Sequence, residues 1–376
     1  MSNADHQPSA VPSGKSPSPT TPSLSRRALL AAAGVAAPVG IFAGHVLAAG
    51  RSALVGPTDA EIHASLCGAA AADPPPAAGA LKPIKLTWNA NAICTAAVPS
   101  AVQNGVFARY GLAVELINFG GSTDQLLEAI ATGKADAGVG MALRWLKPLE
   151  QGFDVRLTAG IHGGCMRLLA PQAAGIADIA DLRGKTIATS DMASPDKNFF
   201  SIVLQKHGVD PTREVEWRQY PGDLLGLAVQ KGEAQALVAG DPIAYLLRKN
   251  NDLVEVANNL SGEYQHRVCC VLGLCGSLIR GDRATAAALT QALLEAGEWT
   301  ANNPDQAATV FSAYSKASVE DLSAMLRSHT HHHHPVGNEL KSQVALYADE
   351  LKLVSVMKQS TDSAKFADRI FADVLS

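Results

Sequence analysis

Aromatic residues make up only 5% of this 376-residue chain and charged residues 18%, and neither sign of charge prevails: the formal net charge is −4. A protein that holds nucleic acid in bulk needs a basic excess for phosphates and aromatic faces for bases. This sequence has neither, which excludes that class. HExxH and paired CxxC motifs are missing, so a preformed, closed zinc centre has no support. A GxSxG nucleophile elbow and a Gly-rich phosphate loop are missing too. Apolar residues, by contrast, reach 47%. That is enough for ample cores, and the length suits about two domains with sequence to spare.

Residues 1–24 are rich in Ser, Pro and Thr, and such a segment buries too little apolar surface to offset its ordering entropy. It is expected to be a disordered n-region. Ser25-Arg26-Arg27 then precedes an Ala/Gly/Val-rich run to Ala49 with small residues near Val46-Leu47-Ala48. Residues 25–49 therefore resemble a twin-arginine export signal, which implies a periplasmic protein. A run of about 22 residues is also long enough to anchor in a bilayer if uncleaved, although its Ala/Gly content makes it a weak spanner. Cys67 is a poor lipidation site because Leu66 precedes it. Residues 50–82, with Pro74-Pro75-Pro76, read as a linker.

From residue 83 the pattern alternates between strand and helix. Strands are expected at 84–88, 113–119, 135–140 and 154–161, and helices at 98–110, 123–132 and 142–151. Gly111 and Gly133 serve as helix stops, and Ser122 as an N-cap. A further strand at 165–170 leads to a second set at 186–189, 215–220 and 234–239, with helices near 195–207, 223–231 and 242–249. Alternation of this kind implies parallel strands covered by helices on both faces. The segment Gly133-Lys134-Ala135-Asp136-Ala137 is echoed by Gly232-Glu233-Ala234-Gln235-Ala236 about 99 residues later, as expected for two lobes of similar build. Beyond Gly281 the chain reads as almost wholly helical.

Those two segments, with Asn104-Gly105-Val106-Phe107-Ala108-Arg109-Tyr110-Gly111-Leu112 and Asp181-Leu182-Arg183-Gly184-Lys185, resemble the periplasmic binding proteins for nitrate, sulfonates and taurine. The resemblance implies an α/β type II periplasmic-binding fold. Lobe 1 would comprise 83–170 plus 270–376 and lobe 2 171–269, with crossovers near 165–175 and 262–272. It also implies a monomeric, non-enzymatic receptor that closes on a small anionic or polar ligand and hands it to an ABC transporter permease, with no required cofactor. Ligands of open α/β sheets bind at the carboxyl ends of strands, so the candidate binding residues are Asn89, Asn91, Cys94, Ser122, Thr123, Met141, Arg144, His162, Ser190, Lys197, Tyr220, Asp241 and Cys269. Helix starts at Ser122 and near Pro195 suit an anion, and Arg144 or Lys197 would add counter-charge.

Two features depart from a plain anion receptor. Cys269, Cys270 and Cys275 fall in one crossover, and Cys165 with His162 in the other. They read either as small hydrophobes in buried strands or as thiols facing a ligand or metal. The run His331, His332, His333, His334 precedes Pro335 and offers two or three ligands to a transition metal such as Cu, Zn or Ni. An exported metal-binding receptor is thus one alternative. The cysteines also resemble the start of the CCCFC run of the fungal-type pyrimidine precursor synthases, which share this fold and use pyridoxal phosphate and iron. Here Val271-Leu272-Gly273-Leu274 interrupts the motif, and no equivalent of their lysine is evident.

Overall fold

The computed structural model describes residues 79–329 and 332–376. The n-region and export-signal readings, the linker reading up to residue 78, Cys67 and His331 lie outside them, and Lys82, the last residue of the expected linker, opens the first strand instead. Among the described residues, ten strands form two five-stranded sheets. The first contains β1 (Lys82–Trp88), β2 (Leu112–Asn118), β3 (Ala137–Met141), β4 (Val155–His162) and β10 (Cys270–Cys275). The second contains β5 (Met166–Pro171), β6 (Thr186–Thr189), β7 (Glu216–Gln219), β8 (Ala236–Gly240) and β9 (Leu253–Asn258). The orders are β2-β1-β3-β10-β4 and β7-β6-β8-β5-β9. Strand for strand these are the same topology, so the echo at Gly133 and Gly232 marks equivalent turns before the two central strands.

The expectation of parallel strands holds only in part. β1 pairs in parallel with β2 and β3, and β6 with β7 and β8. The strands that carry the chain between lobes run the other way: β10 is antiparallel to β3 and β4, and β5 to β8 and β9. Each such strand enters its sheet from the partner lobe, which reverses its direction. The first crossover is residues 163–165, ahead of the expected boundary at 170, so β5 belongs to the second sheet. The return crossover is residues 259–269. Strand β9 (Leu253-Val254-Glu255-Val256) went unread, although Asn250-Asn251-Asp252 supplies a turn ahead of it.

Helices α1 (Ala97–Gln103), α2 (Val106–Arg109), α3 (Thr123–Ala131) and α4 (Ala142–Glu150) belong to the first lobe. Helices α5 (Pro195–Lys206), α6 (Leu225–Gln230) and α7 (Ile243–Asn250) belong to the second. The remainder are α8 (Gly276–Gly281), α9 (Arg283–Asn302), α10 (Pro304–Phe311), α11 (Val319–Ser328), α12 (Gly337–Leu353) and α13 (Ser363–Ile370). The single helix expected over 98–110 is broken after Gln103, because Gly105 takes a left-handed φ of 64°, which glycine adopts without the Cβ penalty. Ser122 caps α3 as expected, accepting from the Gln125 amide at 3.4 Å, and Ser194 caps α5 in the same way from the Lys197 amide at 3.3 Å.

The apolar stripe of α4 (Leu143, Trp145, Leu146, Leu149) is wholly buried, each side chain worth about 1.5–3 kcal/mol relative to exposure. One core lies between the first sheet and α1, α2 and α9–α11. A second runs from α3 and α4 through the crossover cysteines to α5, and on to α12 and α13. The C-terminal helices therefore brace both lobes. Glu350 of α12 accepts from Lys206 of α5 at 2.6 Å and from Arg267 of the return crossover at 2.9 Å. No helix among the described residues is long and apolar enough to cross a membrane.

Candidate binding site at the seam between the lobes

The crossovers lie side by side, held by backbone hydrogen bonds. Cys269 N–H donates to the His162 carbonyl at 2.8 Å, Asp241 N–H to Cys165 at 2.9 Å and Asn259 N–H to Met166 at 3.1 Å. A Cβ on Gly164 would stand 2.1 Å from the Asn259 carbonyl oxygen, so only glycine lets the two segments approach this closely. Across the seam Ile93 N–H donates to the Asp241 carbonyl at 3.3 Å. A Cβ on Gly240 would lie 3.3 Å from Met141 Cε, which places the ends of β3 and β8 face to face.

Arg144, at the start of α4, is buried at 6% exposure. Its Nη1 donates to Thr123 Oγ1 at 2.5 Å, and its guanidinium lies 5.5 Å from the centre of the Phe119 ring. Among the described residues its Nε has no partner. Burial holds its pKa below the usual arginine value, with Asp196 and Asp191 of the second lobe opposing that shift. Asp196 is itself buried at 6% exposure. Desolvation raises its pKa, offset by the Ser194 hydroxyl, the Lys197 amide and Arg144. A buried cation of one lobe thus lies within electrostatic reach of a buried carboxylate of the other. Donors held this way in a dry seam suit a small anion or polar group.

The other expected residues divide into groups. Asn89 and Asn91 form the loop after β1: Asn89 Oδ1 accepts from the Asn91 amide at 3.0 Å, and Asn91 Nδ2 donates to the Gly120 carbonyl at 3.4 Å. Ser122 and Thr123 stand beside Arg144. Ser190 and Tyr220 are half-buried at the ends of β6 and β7. Lys197 lies 5.4 Å from the Trp217 ring centre, and desolvation lowers its pKa. Asp241 is fully engaged within the protein: Arg167 holds it through Nε at 3.1 Å and Nη2 at 3.0 Å, the Tyr245 amide donates to it at 2.9 Å, and His329 Nε2 lies 2.9 Å away. His162 is buried, its ring edge-on to His329 with centroids 5.3 Å apart.

Cys94, Cys165, Cys269 and Cys270 gather at the crossovers, all buried. Hydrogen bonds from Cys165 and then Cys270 lower the pKa of Cys94, to about 6, and that of Cys269. The two donors are raised in turn. Cys275 lies apart, its Sγ 3.4 Å from the Ala135 carbonyl, because it stands at the far end of β10, about 20 Å of strand from Cys269 even where alternation gives the two one face. The described histidines of the His run point apart. His332 is exposed, His333 lies 2.9 Å from Glu339, and His334 is buried. Among the described residues, no three His, Cys, Asp or Glu side chains stand ready to hold a metal ion. Asp196, Arg167 and His329 were missed by sequence reasoning. Arg167 and Asp241 are 74 positions apart, and no local pattern links them.

Two lobes of matched topology, joined by paired crossovers and meeting at a polar seam, define the periplasmic-binding-protein fold. The NMT1/THI5 like family model matches residues 95–307, more than half of the sequence, and the chain belongs to that family. No curated protein sequence matches it. Solved structures agree on the fold. The alkanesulfonate-binding protein SsuA from Xanthomonas axonopodis pv. citri, bound to MOPS, is 18% identical with a TM-score of 0.64, over 77% of this chain and 99% of that one. The periplasmic nitrate-binding protein NrtA from Synechocystis is 15% identical with a TM-score of 0.65, over 78% and 87%. A Candida albicans protein described as having the generic periplasmic binding protein fold is 13% identical with a TM-score of 0.62, over 78% and 97%.

Proposed function

We propose that this protein is a non-enzymatic, monomeric solute receptor of the periplasm, exported by the twin-arginine route, that delivers a small anionic or polar ligand to an ABC importer. The observation that carries this reading is Arg144. It is a buried guanidinium at the seam with an uncommitted Nε, beside Thr123 and within electrostatic reach of the second lobe's Asp196. An anion or polar group at the seam accepts from the Arg144 guanidinium, and contacts from both lobes favour the closed state. The MOPS-bound sulfonate receptor and the nitrate receptor among the structural neighbours support an oxyanion as the ligand class.

A thermal-shift panel of sulfonates, nitrate, carboxylates and thiamine-pathway precursors tests it. A ligand that binds only the folded state raises the midpoint, and one class is expected to do so in wild type but not in Arg144→Met. A panel without any shift, or a shift that Arg144→Met retains in full, contradicts the assignment.

A further inference from the structure

The receptor reading leaves the crossover thiols without a task. Cys94 Sγ and Cys270 Sγ lie 3.3 Å apart, about 1.3 Å beyond the length of a disulfide bond. Cys94 sits on the short turn Ile93–Thr95 after β1, and Cys270 opens β10 as the chain returns from the second lobe. The turn is tied across the seam by the Ile93 N–H to Asp241 carbonyl bond, so separation of the lobes would uncover it. Both sulfurs are buried in the core shared by the lobes, and both stand on the first sheet's side of the seam, where a covalent bond would tie the turn after β1 to the start of β10.

We propose that Cys94 and Cys270 form a reversible redox pair whose disulfide fastens the first turn of one lobe to the end of the return crossover. The oxidant is a small-molecule disulfide. Cys94 thiolate attacks one of its sulfurs, forming a mixed disulfide and releasing the other half as a thiolate. Cys270 thiolate then attacks Cys94 Sγ and expels the second half. The protein pair loses two electrons and two protons, and the reagent gains both as two thiols. The lowered pKa of Cys94 keeps the attacking sulfur ionised near neutral pH. Cys275, remote from the pair, takes no part.

The full chain, reduced and freed of reductant, is incubated with oxidised glutathione. Free thiols are then counted under denaturing conditions, and an unreduced digest is mapped by mass spectrometry. The expected result is the loss of two thiols per chain and one linked peptide joining Cys94 to Cys270. Dithiothreitol should restore both thiols, and the oxidised form should melt at a higher temperature. Cys275→Ser should behave as wild type, and Cys94→Ser should lose no pair. An unchanged thiol count, a persistent glutathione adduct, or a link between Cys165 and Cys269 overturns the proposal. If Cys94→Ser fails to fold, the wild-type peptide map decides alone.

Discussion

His329 Nε2 lies 2.9 Å from the Asp241 carboxylate, with both side chains at 0% exposure. His329 follows α11, in the helical segment that covers the first sheet, whereas Asp241 follows β8 of the second. The contact therefore closes one end of the seam, and Arg167 completes it from β5.

Replacing the carboxylate by an amide leaves Arg167, His329 and the Tyr245 amide to share one neutral acceptor in a buried site. Asp241→Asn is expected to lower stability by about 3–5 kcal/mol, the usual cost of breaking a buried ion pair from one side. Urea denaturation at pH 7 measures it. The pH dependence has a definite sign. Burial alone would raise the Asp241 pKa, but His329 and Arg167 together hold it below the ordinary value of 3.8. Its stabilisation is full above that ordinary value and fades as pH falls through the folded one. Wild type should lose this share on acidification below about pH 4, and Asp241→Asn should show a shallower loss.

His334 gives a second window. Burial pushes its pKa from 6.5 down to about 4, and Glu298, 4.0 Å away, offsets only part of that. The folded state therefore favours the neutral ring. Its contribution is full above pH 6.5 and is lost as pH falls towards 4. The total is on the order of 3 kcal/mol. A series of denaturant titrations should show this slope in wild type and a flatter profile in His334→Leu. Equal slopes would place the acid sensitivity elsewhere.

Gly164→Ala probes the packing of the crossovers. The added methyl meets the Asn259 backbone at 2.1 Å, and backbone has little freedom to yield. A loss of at least about 3 kcal/mol is expected, at the upper end of overpacking costs, measured as a drop in the denaturation midpoint. Gly281→Ala is the control, since its Cβ would meet nothing within 4 Å and its φ is not left-handed. It should cost much less.

Much of the architecture was legible from local rules. The stops at Gly111 and Gly133, the Ser122 cap and the repeated turn before β3 and β8 are short-range signals, and they led to two lobes of like build. The reversed direction of β5 and β10 was not legible, because direction depends on which lobe a strand enters from. Arg144 was readable as a charge at the carboxyl end of β3. Its opponent Asp196 was not, since within α5 it looks like an ordinary acidic residue in the first turn. The pairing of Cys94 with Cys270 spans 176 positions and could only be seen in three dimensions.

Equilibrium dialysis with the stabilising ligand, followed by recovery of that ligand, addresses the receptor assignment most directly. The account predicts one equivalent bound per chain, returned chemically unchanged, with affinity reduced at least about tenfold in Arg144→Met, the loss of one charge-assisted hydrogen bond. A ligand converted to product, including any formed on incubation with pyridoxal phosphate and iron, or one bound equally well without Arg144, would contradict it.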